Sequence, residues 1–520
     1  MSSMRGVVRK KPRARPGGLV ARGTDTHLSS LRSGVLSAGQ LGMASGWLAG
    51  SRVLAMASGI VIAPVLVAQL GPESFGVWVV LLAAAGLFSV LGSGGDGVVA
   101  RVIAGNNARG LDTRRPAAIA VGMAAGESTV LTAALIIWAP TVVSVFGIAE
   151  SAQPQAAEAL RWIAAAYVFQ RITRAALGCL SGLGRHRARA VVEVSGPLLF
   201  AFGGTVVLLL GGDLVALSVT YLLAIAAGAA AATLPLKSAP RGGAVDARAT
   251  ARTLWRLGRP RQLSQVALMV AVLGERALVS QFAGEVAAGR YAAASTLVTA
   301  ATVILLYALN PLGPEFVARA AAEGPAAVRS AYRQTERATA VLAGACFGAL
   351  AACAGPLTTA WVGPELEAGQ SVAILAPGFF AFVVARVGFH AAAALDKPWL
   401  EGRTAAPAAV VNVALALVLL ELFGATAAGV ATSLSLLLWA GAFGRSSRAV
   451  LGAPPARDLI PPAIVAAAIA APLAVVAGLV LGPEEGSRWA QGAMAVTLAL
   501  AFLALYAAAM ASWRTAGTDA

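Results

Sequence analysis

Arginine is the residue type whose placement in this chain most strongly suggests chemistry. Arg171 and Arg174 lie in an apolar segment that ends at the turn Gly184-Arg185, and Arg386 lies in a related later segment that ends at Asp396-Lys397. Arg174 precedes Arg185 by the same spacing that separates Arg386 from Lys397. A guanidinium at one depth in two related segments predicts part of a binding site.

Five arginines fall inside apolar segments long enough to span a membrane, and we predict that they line a cavity: Arg174, Arg386, Arg171, Arg276 and Arg52. Facing lipid at mid-membrane would cost each of them roughly 2.5–3.5 kcal/mol, so a cavity or a partner is expected instead. The planar guanidinium binds phosphate oxygens through two parallel hydrogen bonds. The excess of positive charge therefore favours an anionic ligand.

Three acids lie in the same segments and are proton or cation coupling sites or, as we favour, counter-ions: Glu127, Glu193 and Glu275. Arg276 adjoins Glu275, and either could belong to a structural ion pair. Arg52 could instead extend to the membrane surface. Four amides could hydrogen-bond sugars, although such residues more often bridge helices: Gln170, Gln265, Asn310 and Asn412.

The composition is that of a membrane protein. Of 520 residues, 58% are hydrophobic and 12% are charged. Soluble domains carry about 25% charged residues. The net charge of +16 is explained by basic loops at the cytoplasmic leaflet, so we expect no nucleic acid partner. Nucleotide-binding, nucleophile-elbow and metal-ligand motifs are not found in the sequence, and we expect no enzyme activity, no catalytic residue, no cofactor and no metal.

A window of about 20 apolar residues predicts an all-α polytopic membrane protein with about fourteen transmembrane helices. The predicted spans are 46–69, 74–92, 117–146, 159–183, 191–210, 214–236, 263–282, 291–312, 335–357, 370–394, 404–422, 425–443, 460–481 and 489–512. The connecting loops alternate between basic and mildly acidic. Because basic loops stay in the cytoplasm, both termini are predicted to be cytoplasmic.

An internal repeat divides these spans. Gln69-Leu-Gly-Pro-Glu73, followed by Gly76 and Trp78, is echoed by Gln281-Phe-Ala-Gly-Glu285, followed by Gly289 and Tyr291. The repeat predicts two parallel six-helix lobes plus two extra C-terminal helices, which is a transporter architecture. The predicted parts are a disordered basic tail (1–40), an N-lobe (41–236), a linker (237–262), a C-lobe (263–443), spans 13 and 14 (444–512) and a cytoplasmic tail (513–520).

The segment Gln69-Leu-Gly-Pro-Glu-Ser-Phe-Gly-Val-Trp78, together with Leu422-Phe-Gly-Ala-Thr-Ala-Ala-Gly-Val-Ala-Thr-Ser433, resembles polysaccharide flippases of the multidrug/oligosaccharidyl-lipid/polysaccharide (MOP) exporter superfamily. The resemblance covers about residues 40 to 512. It implies fourteen helices in two lobes around a cationic cavity, with arginines in spans 1, 4, 7 and 10. The usual Asp-Leu-Gly after span 2 is replaced by Gly94-Gly-Asp-Gly97.

The resemblance implies a transporter that flips an undecaprenyl-pyrophosphate-linked oligosaccharide across the bacterial inner membrane by alternating access, for cell-surface polysaccharide. A monomer is expected, with membrane lipids, a polysaccharide polymerase and glycosyltransferases as candidate partners. One alternative is a cation-coupled multidrug exporter of the same superfamily. A polytopic polysaccharide polymerase or ligase is disfavoured, because the predicted outer loops are short.

Overall fold

The fold is entirely helical over the residues that the computed structural model describes, which are 38–89, 96–309, 312–395, 397, 399–423, 426–453, 460–480 and 487–516. Within those ranges no strand forms, and the one extended pairing is a single parallel bridge between Leu111 and Gly243. Ser45–Ala520 forms one compact unit. The predicted all-α polytopic fold is confirmed.

We assign the helices to the two predicted lobes in chain order. Those of the N-lobe are α1 (Ala38–Ser89), α2 (Asp96–Ala108), α3 (Arg114–Ile137), α4 (Ala139–Val145), α5 (Gln153–Gly182), α6 (His186–Leu209) and α7 (Leu214–Thr233). Those of the C-lobe are α8 (Ala247–Ala283), α9 (Glu285–Leu309), α10 (Leu312–Glu323), α11 (Pro325–Ala352), α12 (Ala354–Val362), α13 (Gly369–Ala394), α14 (Trp399–Phe423) and α15 (Thr426–Leu451). Two further helices follow, α16 (Ile460–Val480) and α17 (Arg488–Ala516).

Each of the fourteen predicted spans lies on these helices for most of its length, and 90–92, 310–311, 425 and 481 lie outside the described residues. Nine helices among the described ranges are long and apolar enough to cross a membrane on their own. α11 and α12 meet the same criterion only when taken together, and they are bent by 65° at Cys353. α5 is less apolar because Arg171 and Arg174 lie within it. The chain is a multi-pass membrane protein.

Glycine ends the first span of each lobe in the same conformation. Gly71 interrupts α1 with φ 85° and ψ 166°, and Gly284 separates α8 from α9 with φ 85° and ψ 172°. A residue with a side chain rarely adopts this positive φ, so glycine is required at both breaks. The sequence repeat had placed Gly71 opposite Ala283, whereas the backbone places it opposite Gly284.

The two lobes repeat their internal packing. In the N-lobe α5 contacts α2, α3 and α7, and α6 contacts α7. In the C-lobe α13 contacts α10, α11 and α15, and α14 contacts α15. The break between α3 and α4 at Trp138 has its counterpart between α11 and α12 at Cys353. α5 and α13, which carry the repeated arginines, are therefore the central helices of their lobes.

The extra helices α16 and α17 pack on α11 of the C-lobe. A side chain at Gly348 would lie 2.2 Å from Phe502, and one at Gly344 would lie 2.3 Å from the Tyr506 hydroxyl. Glycine is needed here because the two aromatic rings of α17 fill the space beside the helix. Tyr506 also donates a hydrogen bond to the Val341 carbonyl, at 3.1 Å.

The predicted linker, 237–262, is held against the N-lobe. Thr113 Oγ1 donates to the Pro240 carbonyl at 2.9 Å, and Leu254 packs in the apolar cluster formed by α2, α3 and α5. Residues 247–262 are helical and continue into span 7 as α8, and 513–516 continue α17. Of the predicted N-terminal tail only 38–40, the start of α1, lies in the described part, and 517–520 lie outside it.

The lobes meet at the end of the bundle that carries the loops around Glu73, Glu150, Asp213, Glu285 and Glu365, which we call the acidic-loop end. A Cβ atom on Gly76 would lie 1.9 Å from the Glu285 carbonyl oxygen, and Gly289 lies against Phe75 and Gly76. The two glycines that correspond in the repeat therefore pack against each other. The Ala149 amide also donates to Glu285 Oε1 at 2.7 Å.

Candidate functional site

The N-lobe gathers basic side chains on α1, α5 and α6. Arg52 Nη1 lies 2.8 Å from Glu193 Oε1, and the side chain of Arg52 is 49% exposed while that of Glu193 is 8% exposed. Arg189 lies 3.9 Å from the other Glu193 oxygen and 3.3 Å from Asp96. Glu193 thus lies between two arginines.

Arg174 is a second exposed arginine of this group, in addition to Arg52. Its neighbours Arg171 and Ala175 are buried, whereas Arg174 itself is exposed. It lies within electrostatic reach of Arg171 and Arg52, and Asp96 is the acid that offsets them. Within the described part of the chain Arg174 forms no ion pair. Arg174 precedes the end of α5 by two helical turns, which places it about 12 Å from that end. An exposed guanidinium at this depth can bind an anion.

Arg171 and Glu127 belong to a deeper part of the same lobe. The buried Tyr167 experiences the charges of Arg171, Arg174 and Glu127. Together with Arg52, Arg189, Asp96 and Glu193, the group contains four arginines and three acids. One positive charge is left over, and Arg174 is the side chain placed to present it.

The C-lobe holds a buried carboxylate instead. Glu275 is 1% exposed, and Thr432 Oγ1 lies 2.6 Å from each of its oxygens. Tyr291 donates its hydroxyl to the same carboxylate, and Asn412 bonds to it as well. These groups come from α8, α9, α14 and α15, so Glu275 joins four helices of the lobe.

The C-lobe arginines are more enclosed than Arg174. Arg276 Nη2 donates to Ser295 Oγ at 3.3 Å, and no ion pair joins it to Glu275 in the described part. Arg386 is paired with Glu401 of α14, and its guanidinium lies 4.2 Å from the centre of the Phe389 ring. The side chain of Arg386 is 21% exposed. Like Arg174, Arg386 lies two turns before the end of its helix.

The structure thus groups Arg52, Arg171, Arg174 and Glu193 in one lobe, and Glu275, Arg276 and Arg386 in the other. Sequence reasoning missed Glu401, which lies in the first turn of α14. It also missed the buried pair of Arg448 and Glu336, 2.6 Å apart, because Arg448 had been assigned to a loop and Glu336 to the first residues of a span. The available signal was the spacing of Tyr332 and Glu336, which places them on one helix face. The Gln265 side chain and Asn310 lie outside the described residues.

The sequence matches a known protein family over more than half of its length. Residues 42–316 match the model of the family described as "Polysaccharide biosynthesis protein". No curated protein matches the sequence.

Solved structures share the fold at low identity. The lipid II flippase MurJ in its inward closed conformation is 9% identical with a TM-score of 0.68, and the match covers 89% of this chain and 98% of that one. An inward-facing MATE multidrug resistance transporter of the MOP superfamily is 16% identical with a TM-score of 0.61, covering 77% and 94%. A MOP transporter from Pyrococcus furiosus is 13% identical with a TM-score of 0.56, covering 79% and 95%.

These likenesses confirm the predicted polytopic all-α fold, and the family match extends from residue 42, in α1, to residue 316, in α10. The expected resemblance to polysaccharide flippases is confirmed as well. The chain belongs to the family described as "Polysaccharide biosynthesis protein", and it shares its fold with solved transporters of the MOP superfamily.

Proposed function

We propose that the chain flips an undecaprenyl-pyrophosphate-linked oligosaccharide across the bacterial inner membrane for cell-surface polysaccharide biosynthesis. The observation that carries the proposal is Arg174, an exposed arginine deep in the central helix of the N-lobe, in a chain of the polysaccharide biosynthesis family. The pyrophosphate that joins the lipid to the sugar is an anion, and a guanidinium binds its oxygens through charge-assisted hydrogen bonds. MurJ, which shares the fold, is named as a lipid II flippase.

The contact between the lobes supports alternating access. Gly76 and Gly289 bring the backbones of α1 and α9 together at the acidic-loop end. With the basic loops in the cytoplasm, this end faces outward, and the arginine groups are reached from the cytoplasmic side. The pyrophosphate would bind there, the lipid tail would remain in the bilayer, and the lobes would separate at the glycine contact to release the substrate outside.

The test is replacement of Arg174 and Arg386 together by alanine in a strain that lacks its own copy of the protein. We expect surface polysaccharide to fall by at least about thirtyfold, because truncating one side of an enclosed charge contact costs roughly 2 kcal/mol or more. The measurement is surface polysaccharide per cell, with membrane protein level measured in parallel. The matched control is Arg161→Ala, which removes an exposed arginine from the other end of α5.

Two further variants, one single and one double, separate the contributions of Arg174 and Arg386. Arg174→Ala should account for most of the loss, and Arg386→Ala combined with Glu401→Ala should recover part of the Arg386→Ala defect, since that arginine is already paired. Normal polysaccharide output from the Arg174/Arg386 double variant at normal protein level would refute the cavity assignment.

The buried carboxylate supports cation coupling. Glu275 is surrounded by the hydroxyls of Tyr291 and Thr432 and by Asn412. These groups offer oxygen donors to a proton or a small cation. Such a site also suits the second candidate function, a cation-coupled multidrug exporter of the same superfamily. The two differ in cargo: a drug-efflux assay in a sensitive strain would show export only for the second.

An integral-membrane transporter, rather than a polymerase or ligase, is supported by the fold. We further propose that the chain acts as a monomer beside a polysaccharide polymerase and glycosyltransferases, which would consume and supply its lipid-linked substrate.

A further inference from the structure

A polar pair stands one helical turn from Arg174. Gln170 of α5 donates its amide hydrogen to the hydroxyl oxygen of Tyr221 on α7, and both side chains are half-buried. By accepting this bond, Tyr221 keeps its own hydroxyl hydrogen to donate, and Gln170 keeps its amide oxygen to accept. A hydroxyl that already accepts a bond is also the better donor. The pair can therefore offer one donor and one acceptor to a ligand.

Aromatic rings surround this pair. The Tyr221 and Phe200 ring centres are 5.0 Å apart with planes at 83°, and both rings are half-buried. Trp78 lies behind them, stacked on Phe200 at 5.7 Å and edge-on to Tyr221 at 5.8 Å. The result is a rigid apolar wall with one polar edge. A pyranose ring has the complementary surface, an apolar face of C–H groups bordered by hydroxyls.

The polar pair and the charged site share one helix face. Gln170 precedes Arg174 by one turn of α5. Residues at this spacing on a helix have their Cβ atoms about 5–6 Å apart. The charge of Arg174 also reaches Tyr221. In a lipid-linked oligosaccharide the first sugar is bonded directly to the pyrophosphate. A pyrophosphate held by Arg174 would therefore bring that sugar to Gln170 and Tyr221.

The fold does not need this pair to join the two helices. The register that aligns Arg174 with Arg386 also aligns Gln170 with Phe382 and Tyr221 with Ser433 in the C-lobe. There Phe382 packs on Trp439, with ring centres 5.2 Å apart, and Ser433 accepts a hydrogen bond from the Gly378 amide. α13 and α15 pack as closely as α5 and α7 with no such pair. In the C-lobe a hydrogen bond from a backbone amide to a serine joins the two helices, so joining them does not require a Gln–Tyr pair at this position.

We propose that Gln170 and Tyr221, backed by Phe200 and Trp78, bind the first sugar of the lipid-linked substrate and so determine which glycan is accepted. This inference rests on the proposed function, because it needs a pyrophosphate at Arg174. It adds that the N-lobe recognises the first sugar as well as the pyrophosphate. A site that hydrogen-bonds a hydroxyl discriminates strongly against a ligand without one.

The experiment measures binding to the purified full-length protein in nanodiscs. The two probes are undecaprenyl pyrophosphate alone and undecaprenyl pyrophosphate carrying one N-acetylhexosamine. The variants are Tyr221→Phe, which removes one hydroxyl, and Gln170→Leu, which removes the amide at similar size. The matched control is Tyr506→Phe, which removes the hydroxyl that bonds Val341 on the far side of the C-lobe. Thermal unfolding of each variant is measured alongside.

We expect the wild type and the Tyr506→Phe control to prefer the sugar-bearing lipid by about tenfold, the worth of one or two hydrogen bonds. Tyr221→Phe and Gln170→Leu should each lose most of that ratio while binding the bare lipid within twofold of wild type. A variant that keeps the wild-type preference for the sugar-bearing lipid, or that weakens the binding of both lipids equally, would refute the sugar site. The flippase proposal would be unaffected by either result. Failure of the wild type to bind either lipid overturns the proposed function itself.

Discussion

The two lobes share one helix arrangement but fill its interior with opposite chemistry. In the N-lobe, Trp78 and Phe200 stack beside Tyr221. The repeat aligns Trp78 with Tyr291 and Phe200 with Asn412 in the C-lobe. Both of these C-lobe residues bond to Glu275. An apolar aromatic wall in one lobe thus corresponds to a buried polar site in the other.

The corresponding arginines of the two lobes also differ in exposure and pairing. Arg174 is exposed and Arg386 is paired with Glu401, although each lies two turns before the end of its helix. We infer that the duplicated lobes have divided their tasks. The N-lobe presents a free cation and a flat wall to the substrate, and the C-lobe encloses an acid that suits coupling.

The largest effect is expected where the lobes meet. In Gly76→Val the new side chain would clash with the Glu285 backbone, because even a Cβ atom would lie 1.9 Å from its carbonyl oxygen. Backbone atoms cannot move aside as a flexible side chain can, so the acidic-loop end should not close. We expect flipping in proteoliposomes to fall roughly a hundredfold, since overpacking costs typically about 1–3 kcal/mol and occasionally more.

The control for this variant is Gly59→Val on the same helix, where nothing lies within 4 Å of the added Cβ. Its flipping should stay near wild type. Equal activity of the two valine variants would show that the lobes do not need this contact in order to alternate.

A smaller effect is expected at the enclosed acid. Glu275→Gln keeps the size and most hydrogen bonds of the side chain but removes its charge. We expect flipping to lose its dependence on a sodium or proton gradient, with a rate loss of about tenfold, a barrier increase of roughly 1.4 kcal/mol. The measurement is flipping in proteoliposomes with and without each gradient.

The N-lobe comparison is Glu127→Gln, which neutralises an acid whose charge acts on Tyr167. That variant should keep its gradient dependence. If it loses the dependence while Glu275→Gln retains it, the proposed division of tasks between the lobes is reversed.

The smallest effect concerns the outer surfaces of the lobes. Gly348→Ala on α11 would place a methyl group 2.2 Å from Phe502, whereas Gly126→Ala on α3 meets nothing within 4 Å. Overpacking should lower the free energy of unfolding of Gly348→Ala by about 1–3 kcal/mol. Gly126→Ala should be neutral or slightly stabilising, since alanine favours a helix by about 0.5–1 kcal/mol over glycine. Thermal unfolding in detergent compares the two, and a loss of stability in both would show that both surfaces are covered.

The sequence was sufficient for the helices and for the repeat, because hydropathy and glycine placement are local properties. Gly71 and Gly284 could be recognised as breaks, since glycine is the residue that tolerates their positive φ. Which arginine remains free could not be predicted. That depends on whether an acid such as Glu401 or Glu193, distant along the chain or on another helix, folds against it.

The polar neighbours were the least predictable part. Gln170 was recognised as a possible sugar ligand, but its partner Tyr221 lies 51 residues away on another helix. Asn412 was considered in the same way and proved to bond Glu275 instead. Amide side chains serve either purpose, and only the packing of the lobe decides between them.

α8 is one continuous helix that connects the N-lobe to the buried acid of the C-lobe. Leu254, near its start, packs against the N-lobe, and Glu275, near its end, is tied to three helices of the C-lobe. At about 1.5 Å per residue these two fixed points are roughly 32 Å apart. Pivoting the rod by about 10° at the N-lobe would carry the carboxylate through an arc of about 5–6 Å, by the same rise per residue. Binding of a proton or cation at Glu275 and the tilt of one lobe relative to the other would then be coupled, because one movement of α8 changes both.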